Sequence, residues 1–417
     1  MLKFERLVAW RYLRSRRQEG FISVITFLSL LGICLGVATL IIVMSVMNGF
    51  RGELFKKILG FNGHLFVMET NQYPVTDYAN LAEQFSKLPS IVAATPMIEN
   101  GAMVTSEYNI DFARIRGIRL TDLKKRSFIN DNIIIGSIEQ FERQGGAVIG
   151  YKLANRLGLS VGDFITLISP QNRDTVIGNV PRIKSYPIVA VFNVGMSQYD
   201  SNFVLIPLEA AQLYFSRNQQ VDYIEIVTDN ADEVSQSKRE IQQYLQAHNL
   251  NYQIESWQER YGEFLGVLDV EKTVMFIILF LIIIVASFNI ISSQIMMVKD
   301  KRQEIGILRT LGATKRSILS IFLINGASTG ILGVGTGFIL GVLFVENIER
   351  IRQWVQSILG TQLFPDTFYF LSQLPAVLDW KQVLLIVGVA FGLSLLASLY
   401  PAWRAARLDP VQVLRYE

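Results

Sequence analysis

Four stretches of this chain, residues 21–50, 273–298, 317–345 and 382–403, contain no Asp, Glu, Lys or Arg. Each exceeds the roughly 20 residues that a helix rising 1.5 Å per residue needs to cross about 30 Å of hydrocarbon. Backbone amides cannot be left unpaired in lipid, so such runs are expected to be helical. Only 18% of the 417 residues are charged, against about a quarter in a soluble domain. The expected fold is a membrane protein of four transmembrane α-helices, with a large α+β domain inserted between the first and second spans.

Charge sets the expected orientation. Residues 1–20 and 299–316 each carry six basic and two acidic side chains, and the tail 404–417 carries three and two. The opposite sign marks 51–272, with 21 basic against 26 acidic, and 346–381, with three against four. Short loops rich in Lys and Arg stay in the cytoplasm. Both termini and the 299–316 loop are therefore expected inside, and the 51–272 and 346–381 segments outside. The apolar run 21–50 is longer than the roughly 7–15 residues of a cleaved signal peptide, and Ile33 stands where a lipoprotein cleavage site needs a small residue. An uncleaved anchor is expected. Ahead of it, 2–17 reads as an amphipathic helix, with Phe4, Leu7, Val8 and Trp10 opposed to Arg6, Arg14 and Arg17. It suits the cytoplasmic lipid interface or serves simply as a positive anchor.

Within the outer loop, short apolar runs at 147–149, 164–168 and 188–192 read as strands bounded by Gly and Pro. Residues 78–88, 151–157 and 231–248 read as helices, which implies an α+β domain. Glycines 145, 146 and 162 read as turn devices. Residues 169–187 interrupt the strand pattern with Pro170, Gly178, Pro181 and Pro187, as either a projecting β-arm or a plain surface loop. Cys34 is the only cysteine, so the outer loop must be stable without a disulfide. His64 and His248 are too far apart to suggest zinc. The second outer segment contains an amphipathic stretch (Ile348, Ile351, Trp354, Val355, Ile358, Leu359), followed by 364–374, and is expected to lie along the outer membrane face.

Signs of chemistry are sparse. No glycine is followed by lysine, so there is no P-loop phosphate cradle. A Ser-His-acid hydrolase would have to use one of two isolated histidines. No span carries a charge at its centre, which disfavours an ion- or proton-driven transporter. Asn289 and Asn325 are polar exceptions that suit interhelical hydrogen bonds. Gly32/Gly36, Gly326/Gly330, Gly333/Gly337/Gly341 and Gly388/Gly392 are spaced by four residues and are expected to let helices approach closely. In the loop 298–318, a helix over 301–311 would align Ile305, Leu308 and Leu311, with Ile307 beside them, and stop at Gly312. Such a helix can dock in a groove of another protein or rest on lipid headgroups.

Several motifs point to a known family. They are Ser45-Val46-Met47-Asn48-Gly49-Phe50, Phe288-Asn289-Ile290, the loop 298–314, the ending Tyr400-Pro401-Ala402-Trp403-Arg404-Ala405-Ala406-Arg407, and Asp409-Pro410 with Leu414. Together they resemble permease subunits of the lipoprotein-releasing ABC transporter of Gram-negative bacteria (the LolC, LolE and LolF type), within the wider MacB/FtsX-like permease family. The resemblance implies an inner-membrane protein with no catalytic, metal or cofactor site of its own, ATP and Mg being bound by a partner. It also implies a division into 1–20 cytoplasmic helix, 21–50 span, 51–272 periplasmic MacB-like domain, 273–298 span, 299–316 coupling loop, 317–345 span, 346–381 periplasmic segment, 382–403 span and 404–417 tail.

The implied partners are a LolD-like ATPase, a second permease chain, a LolA-like periplasmic carrier, acylated lipoprotein and membrane lipid, with no nucleic acid. On this sequence the ATPase contact falls on Glu304, Ile305, Leu308, Arg309 and Gly312. A lipoprotein-binding cavity falls on Val43, Met47, Phe50, Leu54, Phe264, Leu268 and Met275. A carrier-binding hook falls at about 170–181, from Pro170 to Pro181, with Arg182 and Lys184 as a basic pad. Ile183 departs from the polar residue expected there, and 192–208 is more like the LolE branch, so a hybrid subunit is implied. The rival expectations are a permease driving an efflux partner or a cell-wall hydrolase, and a membrane scaffold without an ATPase.

Overall fold

The computed structural model describes residues 7–9, 20–70, 74–107, 109–175, 178–231, 233–360 and 375–408. The chain divides into two compact units. A membrane unit comprises Met1–Arg51, Val267–Thr361 and Leu374–Glu417, and an outer unit comprises Gly52–Gly266 and Gln362–Gln373.

The four charge-free runs lie in four long helices: span 1 in Gly20–Phe61, span 2 in Gly262–Asp300, span 3 in Lys315–Glu346 and span 4 in Trp380–Ala406. The helix of span 1 continues past Arg51, because a charge ends the stretch that can sit in hydrocarbon without ending the ladder of backbone hydrogen bonds. Thr314 caps span 3 by accepting from the Ser317 amide at 3.2 Å, and Asp379 caps span 4 through the Lys381 amide at 3.0 Å. These caps satisfy donors left free in the first helical turn.

One apolar cluster joins Ile33, Val37, Leu40, Ile41 and Met44 of span 1 to Ile283, Ala286 and Ile290 of span 2, Val334 of span 3, and Ile386, Ala390 and Ala397 of span 4. The glycine rows divide by role. Gly333, Gly337 and Gly341 lie directly on Ile33, Cys34, Val37 and Ile41, and a Cβ on Gly337 would sit 2.6 Å from the Cys34 carbonyl oxygen. Gly326 and Gly330 instead give room to the polar heads of Gln294, Ser398 and Ser394. Among the described residues of this chain, nothing lies within 4 Å of a Cβ added to Gly388 or Gly392, so that pair makes no close helix contact here.

Helix Ile348–Leu359 follows span 3, buries none of its residues, and leaves Trp354, Ile358 and Leu359 exposed before ending at Gly360 with φ 65°. Most of the amphipathic segment expected over 2–17, the stretch 364–374 and the motif residues Asp409, Pro410 and Leu414 lie outside the described residues.

Among its described residues the outer unit has ten strands: β1 Leu65–Glu69, β2 Ile91–Thr105, β3 Ile110–Ile118, β4 Ile133–Gly136, β5 Ala147–Gly150, β6 Phe164–Thr175, β7 Gly178–Phe192, β8 Phe203–Pro207, β9 Tyr223–Thr228 and β10 Tyr252–Ser256. They pair in the order β10-β1-β9-β2-β3-β8-β5-β7-β4, with β6 joined to β2 and β7. The fifteen-residue β2 links the two halves: Ile91–Met97 pairs with β9 and Ile98–Thr105 with β3. Helices Tyr78–Phe85, Tyr151–Leu157 and Val234–Ala247 pack their apolar faces inward, burying Leu81 and Phe85, Leu153 and Leu157, and Ile241 and Leu245. Gly145 (φ 58°) and Gly162 (φ 101°) adopt left-handed turn conformations, which glycine allows at little steric cost.

Candidate functional site

The loop between spans 2 and 3 folds as a helix, Arg302–Thr310. It ends in a Schellman motif: Gly312 has φ 101°, the Ala313 amide reaches the Leu308 carbonyl at 2.9 Å and the Gly312 amide reaches the Arg309 carbonyl at 3.2 Å. Only a residue free to enter the left-handed region closes a helix this way without strain. The helix divides its apolar residues between two sides. Ile305 is 1% exposed and, with Leu308, packs among Met297, Val298, Ile318, Ile321, Phe322, Ala402 and Ala405. Ile307 and Leu311 face outward, Leu311 at 79% exposure.

This distribution corrects the expectation that Ile305 and Leu308 form an external contact surface, since they fasten the helix to its own bundle. Arg309 does the same through its guanidinium, which donates to the Ala406 and Leu408 carbonyls at 3.1 and 3.2 Å. Cationic groups suit the C-terminal end of a helix. Glu304 is exposed and pairs with Lys301 at 2.8 Å. The outward set is therefore Glu304, Ile307, Leu311 and Gly312.

The motif at residues 45–50 has a clear local purpose. The Ser45 carbonyl accepts from the Val377 amide at 2.9 Å, and Asn48 donates to the Gln382 side chain at 2.9 Å. A Cβ on Gly49 would meet the Pro375 carbonyl oxygen at 2.5 Å. A carbonyl, an amide and a missing side chain thus dock the segment leading into span 4 against span 1. One turn on, Arg51 pairs with Asp269 at 2.7 Å. Among the residues expected to line an acyl cavity, Val43, Met47, Phe50 and Met275 of the membrane unit are partly buried. Leu268 of that unit is buried, as is Leu54 of the outer unit, so neither presents a free wall. Phe264 of the outer unit is 41% exposed.

The described parts of 169–187, up to Thr175 and from Gly178, belong to the paired strands of a β-arm. β6 and β7 pair antiparallel from Phe164↔Pro187 to Ile168↔Ile183, and again from Asn172↔Pro181 to Thr175↔Gly178, with an irregularity between. The side chain of Pro170 lies outside the described residues, although its backbone belongs to β6. Pro181 and Lys184 are exposed and Ile183 is 62% exposed. Arg182 is half-buried and donates to the Tyr214 carbonyl at 2.8 Å, at the end of helix Leu208–Phe215. These residues, with Gln144, Leu213 and Tyr214, border a shallow depression of about 860 Å³ at the base of the arm.

A buried ionic network in the outer unit was missed at the level of sequence. Arg116 and Arg126 both donate to the carbonyl of Phe61, the last residue of the helix that begins as span 1, at 3.1 and 3.0 Å. Arg116 also binds Asn62 at 2.8 Å and Glu99 at 2.6 Å, while Arg126 binds Glu225 at 2.8 Å. Tyr223 donates to Glu99 at 3.0 Å, Phe61 stacks on Tyr199 at 4.0 Å, and the Arg116 guanidinium lies 4.8 Å from the Phe61 ring centre. Burial alone would raise the Glu99 pKa. The Arg116 charge and hydrogen bond, helped by Arg114, outweigh burial and hold it at about 2. Two cations at a helix C-terminus complement its partial negative charge, and two carboxylates neutralise the cations. Arg116 and Glu225, charges placed within strands, were the available signal.

Comparison with known proteins accounts for both units. The MacB-like periplasmic core domain family matches residues 26–244, and the FtsX-like permease C-terminal family matches 276–410. The chain is 33% identical over 411 residues to the lipoprotein-releasing system transmembrane protein LolC of Xylella fastidiosa, covering 98% of each chain. It is 32% identical over 412 residues to LolE of Haemophilus influenzae, again covering 98% of each. The periplasmic region of MacB from Actinobacillus actinomycetemcomitans is similar over 54% of this chain and 97% of that one, at 10% identity and a TM-score of 0.35. With four apolar helices and a mixed-sheet domain between the first two, the chain belongs to the LolC/LolE family of lipoprotein-releasing transmembrane permeases, multi-pass inner-membrane proteins with a periplasmic domain.

Proposed function

We propose that this chain is the permease subunit of an ABC transporter that extracts acylated lipoproteins from the inner membrane and hands them to a periplasmic carrier, with ATP hydrolysed on a separate LolD-like subunit. The full-length relationship to LolC and LolE carries this reading. On it, both termini and helix Arg302–Thr310 lie in the cytoplasm, and the ATPase, which also holds ATP and Mg, grips the outward residues Glu304, Ile307 and Leu311. Ile305 and Leu308 pass the movement into the bundle, because close-packed interiors transmit displacement.

A second permease chain, identical or related, completes the cavity. Val43, Met47, Phe50, Phe264 and Met275 of this chain contact acyl chains, and flexible methionines suit irregular apolar ligands. The arm and its base, with Pro181, Arg182 and Lys184, receive the LolA-like carrier. At ~0.8 kcal/mol per CH₂, a chain of about 14 methylenes costs on the order of 11 kcal/mol to expose to water. Direct handover to an apolar pocket avoids that exposure, so extraction and carrier docking have to be coupled.

Spheroplast release tests the reading. Depleting this protein is expected to leave outer-membrane lipoproteins in the inner membrane even when carrier is supplied, and normal release would reject it. Glu304→Lys is expected to abolish co-purification with the ATPase or uncouple its activity from release.

A further inference from the structure

A polar pocket in the membrane unit is left unexplained by the transport reading. Gln294 of span 2 and Asn325 of span 3 are 5% and 2% exposed. Among the described residues, Gln294 has no hydrogen-bond partner at either Nε2 or Oε1, and Asn325 has none at Oδ1. The Asn325 amide nitrogen is already engaged, donating to the Met297 sulfur at 2.8 Å. These atoms border a cavity of about 10 Å³ that is also lined by Ser29 of span 1, Ser293 of span 2 and Thr329 of span 3. The head of Gln294 presses against Gly326, so a larger residue there would displace it.

Such groups are not left unsatisfied in hydrocarbon. Because the atoms without partners include a donor and acceptors, the occupant must both accept and donate. A cation would serve only the oxygens, and an anion only the N–H. The cavity is about one water-sized sphere, the smallest space that holds a water, and water needs two to four polar partners. We infer that spans 1, 2 and 3 enclose one structural water at this site, accepting from Gln294 Nε2 and donating to Asn325 Oδ1. The site adjoins the apolar cluster that seats helix Arg302–Thr310, since Met297 belongs to both. A water there lets the polar side chains exchange partners when the helices shift.

Two methionines provide an internal comparison. Met297 and Met44 are 8% and 6% exposed, but Met297 borders the polar pocket whereas Met44 lies in the apolar cluster of the four spans. Millisecond radiolytic labelling of the full-length protein in lipid nanodiscs, in ¹⁸O-water, generates hydroxyl radicals wherever water is held. Met297 is expected to oxidise to its sulfoxide several-fold faster than Met44, with ¹⁸O incorporated. Equal rates would overturn the inference. In the variant carrying Gln294→Leu and Asn325→Leu, the Met297 rate is expected to fall to that of Met44, and an unchanged fast rate would overturn the assignment to these residues. If that variant does not assemble, Gln294→Met offers a milder test of the same fall. A Met297 rate that differs between sodium and choline buffers would identify an ion and reject water.

Discussion

The outer unit and the membrane unit bury polar groups by different rules. The outer unit buries full charges in opposite pairs: Arg116 with Glu99 and Arg126 with Glu225, both arginines also donating to the Phe61 carbonyl, while Arg126 Nε has no partner among the described residues. The membrane unit buries neutral groups instead, among them Ser29, Ser293, Gln294, Asn325, Thr329, Ser394 and Ser398. Among the described residues, several of these bond back along their own helix, as Ser398 does to Leu395 and Ser394 to Phe391. In a domain that folds in water, an ion pair can be desolvated if every lone pair finds a donor. In a bilayer the unfolded reference is itself dry, and charges are kept out of the spans altogether.

The largest expected effect therefore lies in the outer unit. Arg116→Met leaves the Glu99 carboxylate short of its main partner and takes one donor from the Phe61 carbonyl, and breaking a buried pair in this way costs about 3–5 kcal/mol. Denaturant unfolding of the purified protein, followed through outer-domain fluorescence, should show that loss, and a double change to Glu99→Leu and Arg116→Met should recover part of it. A neutral result for the single change would mean that the network contributes little to holding the end of the span 1 helix.

Acid sharpens the same point. The folded Glu99 pKa, about 2, lies below its ordinary 4.5, so its stabilisation is fully present above about pH 4.5 and is lost as pH falls toward 2. A depression of that size corresponds to about 3 kcal/mol. Stability measured between pH 5 and 2 should decline by that order in the wild-type protein and decline less in Arg116→Met, where the cause of the depression has been removed.

What could be read from sequence differed between the units for the same reasons. Lipid imposes its rule on every residue of a span, so charge-free runs reveal the spans. Gly312, at the end of a short periodic stretch, likewise announced the turn after helix Arg302–Thr310. The buried ions were hidden. Along β3, Phe112, Arg114 and Arg116 share one face, and Phe112 and Arg114 are exposed, so alternation assigns Arg116 to solvent. The end of a distant helix covers it, and periodicity carries no information about such cover. The same holds for Ile305 and Leu308, whose spacing marks an apolar face without telling which neighbour takes it. The glycine rows show the limit plainly, since one four-residue spacing serves helix contact and polar side-chain room within span 3 and open space in span 4.

That last difference can be tested by substitution. Gly337→Val places a branched side chain against the Cys34 carbonyl and Val37, and overpacking of this kind costs about 1–3 kcal/mol. Gly388→Ala meets nothing within 4 Å among the described residues and should stay within about 0.5 kcal/mol of wild type. Thermal unfolding in detergent, together with the yield of membrane-inserted protein, distinguishes the two. Equal losses would mean that span 4 has a packing partner beyond this chain at Gly388, in keeping with a second permease subunit.

The smallest expected effect belongs to the neutral polar groups of the membrane unit. Gln294→Leu alone leaves Asn325 Oδ1 facing an apolar side chain, whereas Gln294→Leu with Asn325→Leu removes both groups that need a partner. Polar contacts between membrane helices average about 0.6 kcal/mol in double-mutant cycles, and coupling of that size between Gln294 and Asn325 is expected in detergent unfolding. A coupling of several kcal/mol, comparable with that expected of the Arg116–Glu99 pair, would show that a dry reference state does not weaken buried polar contacts in this protein, and the contrast between its two units would fail.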